Sequence, residues 1–173
     1  RQRQMCIRDS LGRGVFQNVL QIGSDSNSAT LRMIGTNTTN STNRNMQIGD
    51  RGGTVDVVEA AQTLAINGVV SGNGTAGSGA LIKTGAGTLL LAGHNTWSGG
   101  ATVSQGTLQI GNGGTSGTIG SGNVVNDATL IFNSTGSHSV ADITGTGDTT
   151  ISAGALSLNG SNYTNDITVA SGA

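Results

Sequence analysis

Apolar residues recur in pairs two positions apart along this chain, and no other feature restricts its fold as much. Each pair places two side chains on one face of an extended strand, whereas a helix spaces its apolar residues three or four apart. Gly, Asn, Ser and Thr fill the segments between pairs and favour turns. The pattern predicts an all-β chain of many short strands. The pairs are Leu20/Ile22, Leu31/Met33, Met46/Ile48, Val55/Val57, Leu64/Ile66, Leu89/Leu91, Leu108/Ile110, Leu130/Phe132, Leu156/Leu158 and Ile167/Val169.

The composition also favours strands and turns over helices. Glycine supplies 30 of the 173 residues, proline is absent, and only 10% of the residues are charged. Gly, Thr, Ser and Asn are all poor helix formers, so the polar part of this chain gives helices little support. Disorder would be expected of so much Gly and Ser. The regularly spaced Leu, Ile and Val and the net charge of −1 argue against it.

Charge is unevenly distributed along the chain. Seven arginines lie at or before residue 51, whereas six acids and a single lysine, Lys83, follow residue 52. An acidic surface without basic or aromatic clusters argues against binding to nucleic acid. No apolar run approaches the roughly 18 residues of a membrane-spanning helix. The N-terminal stretch lacks the apolar segment of a signal peptide.

The first ten residues, RQRQMCIRDS, differ in style from the rest and contain the only cysteine, Cys6. They resemble a translated sequencing adapter. We therefore expect residues 1–10 to be an artefact rather than part of the protein, and we leave them out of the fold prediction.

Internal repetition separates a solenoid from a sandwich, since both are built from short strands and turns. Residues 85–106 align with residues 152–172 when one gap is allowed. In this alignment the only tryptophan, Trp97, falls on the only tyrosine, Tyr163. We expect the indole to mark a structural position, packed over the turn after an x-Leu-x-Leu strand and covering the edge of the coil. Stacking on a sugar is the alternative role.

Residues 79–113, GALIKTGAGTLLLAGHNTWSGGATVSQGTLQIGNG, resemble the autotransporter-associated β-strand repeat, also called the passenger-associated transport repeat. The match covers nearly the whole family pattern, with Trp97 where tyrosine is usual. Residues 152–173 form a degraded copy, since Asn165 and Asp166 replace the Gly-Gly pair and no lysine precedes Ala153. The structural repeat positions are Lys83, Gly85, Gly87, Leu89, Leu91, Gly93, Asn95, Trp97, Gly100, Val103, Gly106, Leu108 and Tyr163.

The resemblance implies a right-handed parallel β-helix, of which this chain is a fragment. With roughly 22 residues per rung, residues 11–173 would make about seven rungs. The likeness extends over residues 54–173 and is weaker over residues 11–53. It further implies a structural stalk of a secreted passenger, which folds outside the cell and displays distal regions at the bacterial surface. The implied partner is an outer-membrane translocator barrel.

Motifs for catalysis or for cofactor and metal binding fail on inspection. Gly72 to Gly77 spell G-x-G-x-x-G, but no helix follows. His94 and His138, the only histidines, lack a second His or Cys at metal spacing. A serine triad would need His138 to meet Asp127, Asp142 or Asp148 by chance. The sequence predicts no enzyme activity, no cofactor and no metal.

Two other functions fit the same architecture. A surface adhesin would bind a glycan or host ligand through an outward row of Asn, Asp and aromatic residues, for which only Trp97 and Tyr163 are aromatic candidates. A polysaccharide hydrolase or lyase would need clustered outward carboxylates, and the acids of this chain are sparse.

Overall fold

A computed structural model describes residues 19–24, 26–36, 38–73, 79–164 and 166–170. Every regular element within these residues is a β-strand. Residues 1–10, which we predicted to be an artefact, lie outside the described residues. So do residues 11–18, most of the G-x-G-x-x-G segment, and Asn165 of the degraded copy.

Sixteen strands form three sheets, which we name A, B and C. Sheet A holds β1 (Val19–Ile22), β4 (Asn45–Gly49) and β7 (Val70–Asn73). Sheet B holds β2 (Ala29–Met33), β5 (Gly53–Val57), β8 (Leu81–Thr84), β10 (Ala101–Val103), β12 (Val124–Asn126) and β14 (Ile143–Thr144). Sheet C holds β3 (Thr39–Thr42), β6 (Thr63–Ile66), β9 (Thr88–Leu91), β11 (Thr107–Ile110), β13 (Thr129–Val140), β15 (Asp148–Leu158) and β16 (Ile167–Val169).

Each strand pairs in parallel with the strand of the next coil on the same face. The offset between paired residues ranges from 18 (Thr149 with Ile167) to 28 (Gly53 with Leu81). The chain therefore winds through the sheets in order and returns one coil further along, which is a parallel β-helix of about six turns. The prediction of an all-β parallel solenoid is confirmed. Sheet A ends at β7, whereas sheets B and C continue.

All ten apolar pairs lie in strands, as the period of two predicted. The pairs stack in register, so that equivalent side chains from successive coils meet inside the solenoid. One inward column of sheet C runs through Leu64, Leu89, Leu108 and Leu130, and its neighbour runs through Ile66, Leu91, Ile110, Phe132 and Ile151. Each fully buried apolar side chain in these columns stabilises the stack by about 1.5–3 kcal/mol.

The outward positions of sheet C form a second pair of columns. The first is a row of five threonines, followed by Asp148 in the next coil. Its neighbour carries Ser41, Ala65, Leu90, Gln109, Ile131 and Thr150. Adjacent members of each column lie about 4.8 Å apart, the spacing of hydrogen-bonded strands. We call the five threonines the threonine row; they are Thr39, Thr63, Thr88, Thr107 and Thr129.

β13 and β15 are longer than the other strands, which have two to five residues, because they pass a corner without breaking their pairing. The register shifts near Asn133, and the pairing resumes between Ser137–Val140 and Ala155–Leu158. Gly154 has φ +83° at this corner, a conformation that glycine adopts without strain. The later coils therefore continue sheet C where the earlier coils have sheet A.

Candidate functional site

The predicted repeat positions other than Tyr163 fall within the coil formed by β8 to β11. Leu89, Leu91, Val103 and Leu108 point inward and are fully buried. Gly87, Gly93 and Gly100 are also buried. Most residues of the motif therefore lie on the inner face of the coil. Its apolar members belong to the core rather than to an exposed site.

Trp97 lies inside the solenoid rather than over its edge. Its side chain is 0% exposed and packs within the hydrophobic core, and its Nε1 donates a hydrogen bond of 2.7 Å to the carbonyl of Gly100. Gly120 lies against the indole, where an added Cβ would come within 2.9 Å of Trp97 Cδ2. A sugar could not reach this ring in the folded coil. The indole instead fills the interior where the chain turns towards β10.

Tyr163 occupies a different environment. Its side chain is 39% exposed, and its hydroxyl donates a hydrogen bond to the carbonyl of Gly160. Through a bridge to Ile143, Tyr163 falls in the column that contains Ala101, four residues after Trp97. The sequence alignment thus matches Tyr163 with Trp97, whereas the strand register places it in the column of Ala101.

Lys83 is the most unusual residue of the motif, because it points into the core. It occupies an inward column of sheet B between Val55 and Val103, and it is 0% exposed. Its ammonium donates hydrogen bonds to the carbonyls of Thr84 (2.6 Å), Gly85 (2.8 Å) and, in the next coil, Gln105 (3.1 Å). The three donors of the ammonium are thereby matched by three acceptors at the corner between sheets B and C.

Burial lowers the pKa of Lys83 to about 8, although the charge of the Asp56 carboxylate raises it. Asp56 also accepts an ion pair of 3.1 Å from Arg32 on the neighbouring outward position. A buried amine with a lowered pKa can mark a nucleophile or a base. Here the ammonium is enclosed and all three of its donors are occupied by backbone carbonyls. It therefore stabilises the corner between sheets B and C and is not available to a substrate.

Three glycines of the motif, Gly85, Gly100 and Gly106 (φ +67°), have backbone that other residues rarely adopt. Gly85 has φ +76° and Gly100 has φ +82°, both in the left-handed region. Each lies against the backbone of an adjacent coil: Gly85 against Val57, and Gly100 against Asn123. A side chain at either position would be strained and would also push the coils apart.

Asn95 links three successive coils through its side chain. Its Oδ1 accepts a hydrogen bond of 2.8 Å from the amide of Val70, and its Nδ2 donates one of 2.6 Å to the carbonyl of Thr118. The hydroxyl of Thr118 donates back to the carbonyl of Asn95 at 3.0 Å. This asparagine replaces strand pairing on the side of the solenoid where sheet A has ended.

Two interior polar groups were missed by the sequence analysis. Asn126 lies in the same column as Lys83, and its Nδ2 donates to the carbonyl of Asp148 in the next coil at 2.9 Å. Ser134 Oγ lies 2.9 Å from His138 Nε2, and both side chains are 1% exposed. The alternation within Val124–Asn126 places Asn126 on the same inward face as Val124. This alternation was the one sequence signal that could have revealed the buried asparagine, since polar residues rarely face a core.

The Ser134–His138 contact has the geometry of a nucleophile and base, but its surroundings do not suit catalysis. The hydroxyl is enclosed by the core, so a substrate could not reach it. Two of the three candidate acids serve turns, since Asp127 accepts the amide of Thr146 (3.3 Å) and Asp142 accepts the amide of Asn162 (2.9 Å). The third, Asp148, pairs with Thr129 at the far end of β13.

Two kinds of feature are absent from the described residues: a metal-binding cluster and a membrane-spanning helix. These residues contain no group of three or more His, Cys, Asp or Glu side chains that could hold a metal ion. They also contain no helix of the length and apolar character needed to cross a bilayer. His94 is exposed and pairs through its backbone with Thr118.

Comparison with known proteins identifies a repeat in the coil formed by β8 to β11. Residues 81–110 match the family model of the passenger-associated-transport-repeat. A stretch of 82 residues is 43% identical to the adhesin BmaC autotransporter of Brucella suis biovar 1 (strain 1330). That match covers 42% of this chain and only 2% of the adhesin. No solved structure matches the chain. Residues 81–110 thus match a passenger-associated transport repeat, and part of the chain is similar to an autotransporter adhesin.

Proposed function

We propose that this chain is a non-enzymatic stalk segment of a secreted passenger, which aids outer-membrane passage by folding outside the cell and displays distal regions at the surface. The observation that carries the proposal is the inward direction of the repeat motif. Leu89, Leu91, Trp97 and Lys83 are buried between coils, so the repeated residues build the stack and present little chemistry outside. A C-terminal translocator is the partner that such a passenger implies.

Stacking supplies a directional driving force for this role. Each added coil buries apolar side chains of the two inward columns at about 25 cal/mol per Å². Neighbouring coils stabilise each other in sequence, so a chain emerging through a pore gains stability coil by coil. A coil that has folded outside would resist being drawn back through the pore.

Two adjacent residues of β11 allow a matched test. Leu108 is inward and buried, whereas Gln109 is outward on the same strand. Residues 1–173 would be placed between an N-terminal epitope and a translocator barrel, and display of the epitope on intact cells would be measured by protease accessibility. We expect Leu108→Asp to reduce display strongly and Gln109→Asp to leave it near the wild-type level. Equal display of all three proteins would refute the dependence on coil folding.

Binding of a surface ligand by the coil itself is a second candidate, favoured by the threonine row and by a relative that is named as an adhesin. The hydroxyls of Thr63, Thr88, Thr107 and Thr129 make no hydrogen bond to other described residues, and the neighbouring outward column of sheet C is uncharged, although Asp148 follows Thr129 in the row itself. A line of free hydroxyls without charge suits a neutral polysaccharide chain.

Affinity electrophoresis in gels containing dextran, galactomannan or xyloglucan tests this candidate. Thr107→Lys would obstruct the threonine row, and Thr102→Lys would place the same change on the outward face of sheet B in the same coil. Retardation of the wild-type chain and of Thr102→Lys, but not of Thr107→Lys, would support binding through sheet C. If no gel retards the wild-type chain, or if both variants behave alike, this candidate fails.

A further inference from the structure

His138 is one of two histidines, and it is the buried one. It lies on the second half of β13, paired with Leu156 of β15, and its ring centroid is 4.8 Å from that of Phe132. The side chain is 1% exposed. His94, in contrast, is exposed. The chain therefore carries an internal control for any effect of histidine protonation.

The hydrogen bonds around His138 determine which nitrogen holds the proton. Ser134 Oγ donates to the carbonyl of Gly117 at 3.3 Å, so its own proton is committed. The contact of 2.9 Å with His138 then requires Nε2–H to donate to Ser134 Oγ. Nδ1 is left as an unprotonated nitrogen, and it is buried without a hydrogen-bond partner among the described residues.

Charged groups are remote from the Nδ1 side of the ring. β13 contains no other titratable residue, and the only one in β15 is Asp148, which pairs with Thr129 at the opposite end of the strand. Asp142, just beyond β13, is engaged with the amide of Asn162 in the following coil. The segment 111–120, which supplies Gly117, contains no titratable residue. Protonated Nδ1 would meet neither an acceptor nor a counter-charge.

We propose that His138 is an acid-sensitive release point, at which protonation of Nδ1 opens the pairing of residues 133–140 with residues 153–158 while the earlier coils stay stacked. The neutral imidazole makes one hydrogen bond and packs against Phe132, and it leaves only the acceptor Nδ1 without a partner among the described residues. The imidazolium adds a buried N–H donor that has no partner, and such a group is costly in an apolar interior. This stalk would hold the corner closed at neutral pH and loosen it in acid.

The direction of the pH effect follows from the burial. Burial lowers the pKa of His138 below its ordinary 6.5. The opened segment takes up a proton more readily than the closed one, so the stability that neutral His138 contributes is present above pH 6.5 and is lost as the pH falls through the folded-state pKa. Within that window, protection of the corner falls by up to about tenfold per pH unit.

Hydrogen exchange of the full chain, followed by mass spectrometry and corrected for intrinsic exchange rates, tests the proposal. Between about pH 7.5 and 5, we expect protection of residues 133–140 and 153–158 to fall as the pH decreases, by no more than about tenfold per pH unit. Residues 81–91 should hold their protection. His94→Gln should behave as the wild type, whereas His138→Gln, which can still donate to Ser134, should lose the pH dependence.

Three results would overturn the proposal: unchanged protection of the corner in acid, a loss that persists in His138→Gln, or an equal loss at residues 81–91. If His138→Gln does not fold, the ring resonances of wild-type His138 can be titrated by NMR. A His138 pKa at or above 6.5 would then overturn the proposal, and a value below 6.5 together with the local loss of protection would support it.

Discussion

Replacing Lys83 with methionine tests whether the chain retains a charged group in its core at the expense of stability. Methionine fills a similar volume but carries neither the charge nor the donors. Because the pKa of Lys83 falls from 10.5 to about 8 on burial, the unfolded chain binds more protons than the folded chain between these values. The free energy of unfolding of the wild-type chain should therefore rise with pH over this interval.

The magnitude follows from the two pKa values. A difference of one pKa unit corresponds to 1.36 kcal/mol, so the protonated amine lowers stability by about 3 kcal/mol at neutral pH relative to strongly alkaline conditions. Between about pH 7.5 and 9.5, about 2 kcal/mol of this loss is recovered. Since Lys83 is the only lysine, the pH-dependent difference between the wild-type chain and Lys83→Met isolates its contribution.

Urea unfolding of both proteins at several pH values in this range provides the measurement. The wild-type chain should gain about 2 kcal/mol relative to Lys83→Met as the pH rises. The Cε resonance of the single lysine gives an independent pKa by NMR. Asp56→Asn should lower that pKa further, because the Asp56 carboxylate favours the ammonium. Parallel pH profiles of the wild type and Lys83→Met, or a Lys83 pKa near 10.5, would refute the reasoning.

Three further tests of the packing of the coil use urea unfolding, two of them with a matched control substitution. Trp97→Ala should lower the free energy of unfolding by about 3–5 kcal/mol because the indole is fully buried, whereas Tyr163→Ala should cost clearly less; equal losses would contradict the different burial of the two rings. Gly100→Ala should destabilise by at least about 1 kcal/mol because of its positive φ, and Gly114→Ala, with no such φ, should be near neutral. Asn95→Leu should cost about 1–3 kcal/mol by leaving the Val70 amide unpaired; a stability equal to that of the wild type would show that this amide needs no partner.

The period of two in the sequence was sufficient to predict the strands and the faces they bury. Leu89 and Leu91 face inward because alternation fixes direction within a strand once one side is apolar. The internal repeat and the family resemblance then gave the parallel solenoid. The right-handed sense of the coil, the boundaries at residues 53 and 54, and the degraded copy at residues 152–173 stay predictions.

The interior polar contacts could not be predicted, because they depend on how coils of unequal length come into register. Lys83 finds its third acceptor at Gln105, 22 residues further along the chain, and Asn126 finds Asp148 at the same distance. We predicted that Trp97 packs over the turn after an x-Leu-x-Leu strand and covers the edge of the coil. Its position in the core follows from Gly120, which leaves room beside the ring in the next coil.

The coil offsets also determine how the molecule would respond to a pulling force. Ala101 pairs with Leu81 on one side and with Val124 on the other, so every strand is held by neighbours about 20 residues away in the chain. A force along the axis would peel coils from one end in sequence, rather than shear the whole fold at once. Each detached coil of about 20 residues would add roughly 70 Å of extended chain in place of a rise of about 5 Å. A solenoid of this design would therefore extend in steps under tension, one coil at a time, to many times its folded length.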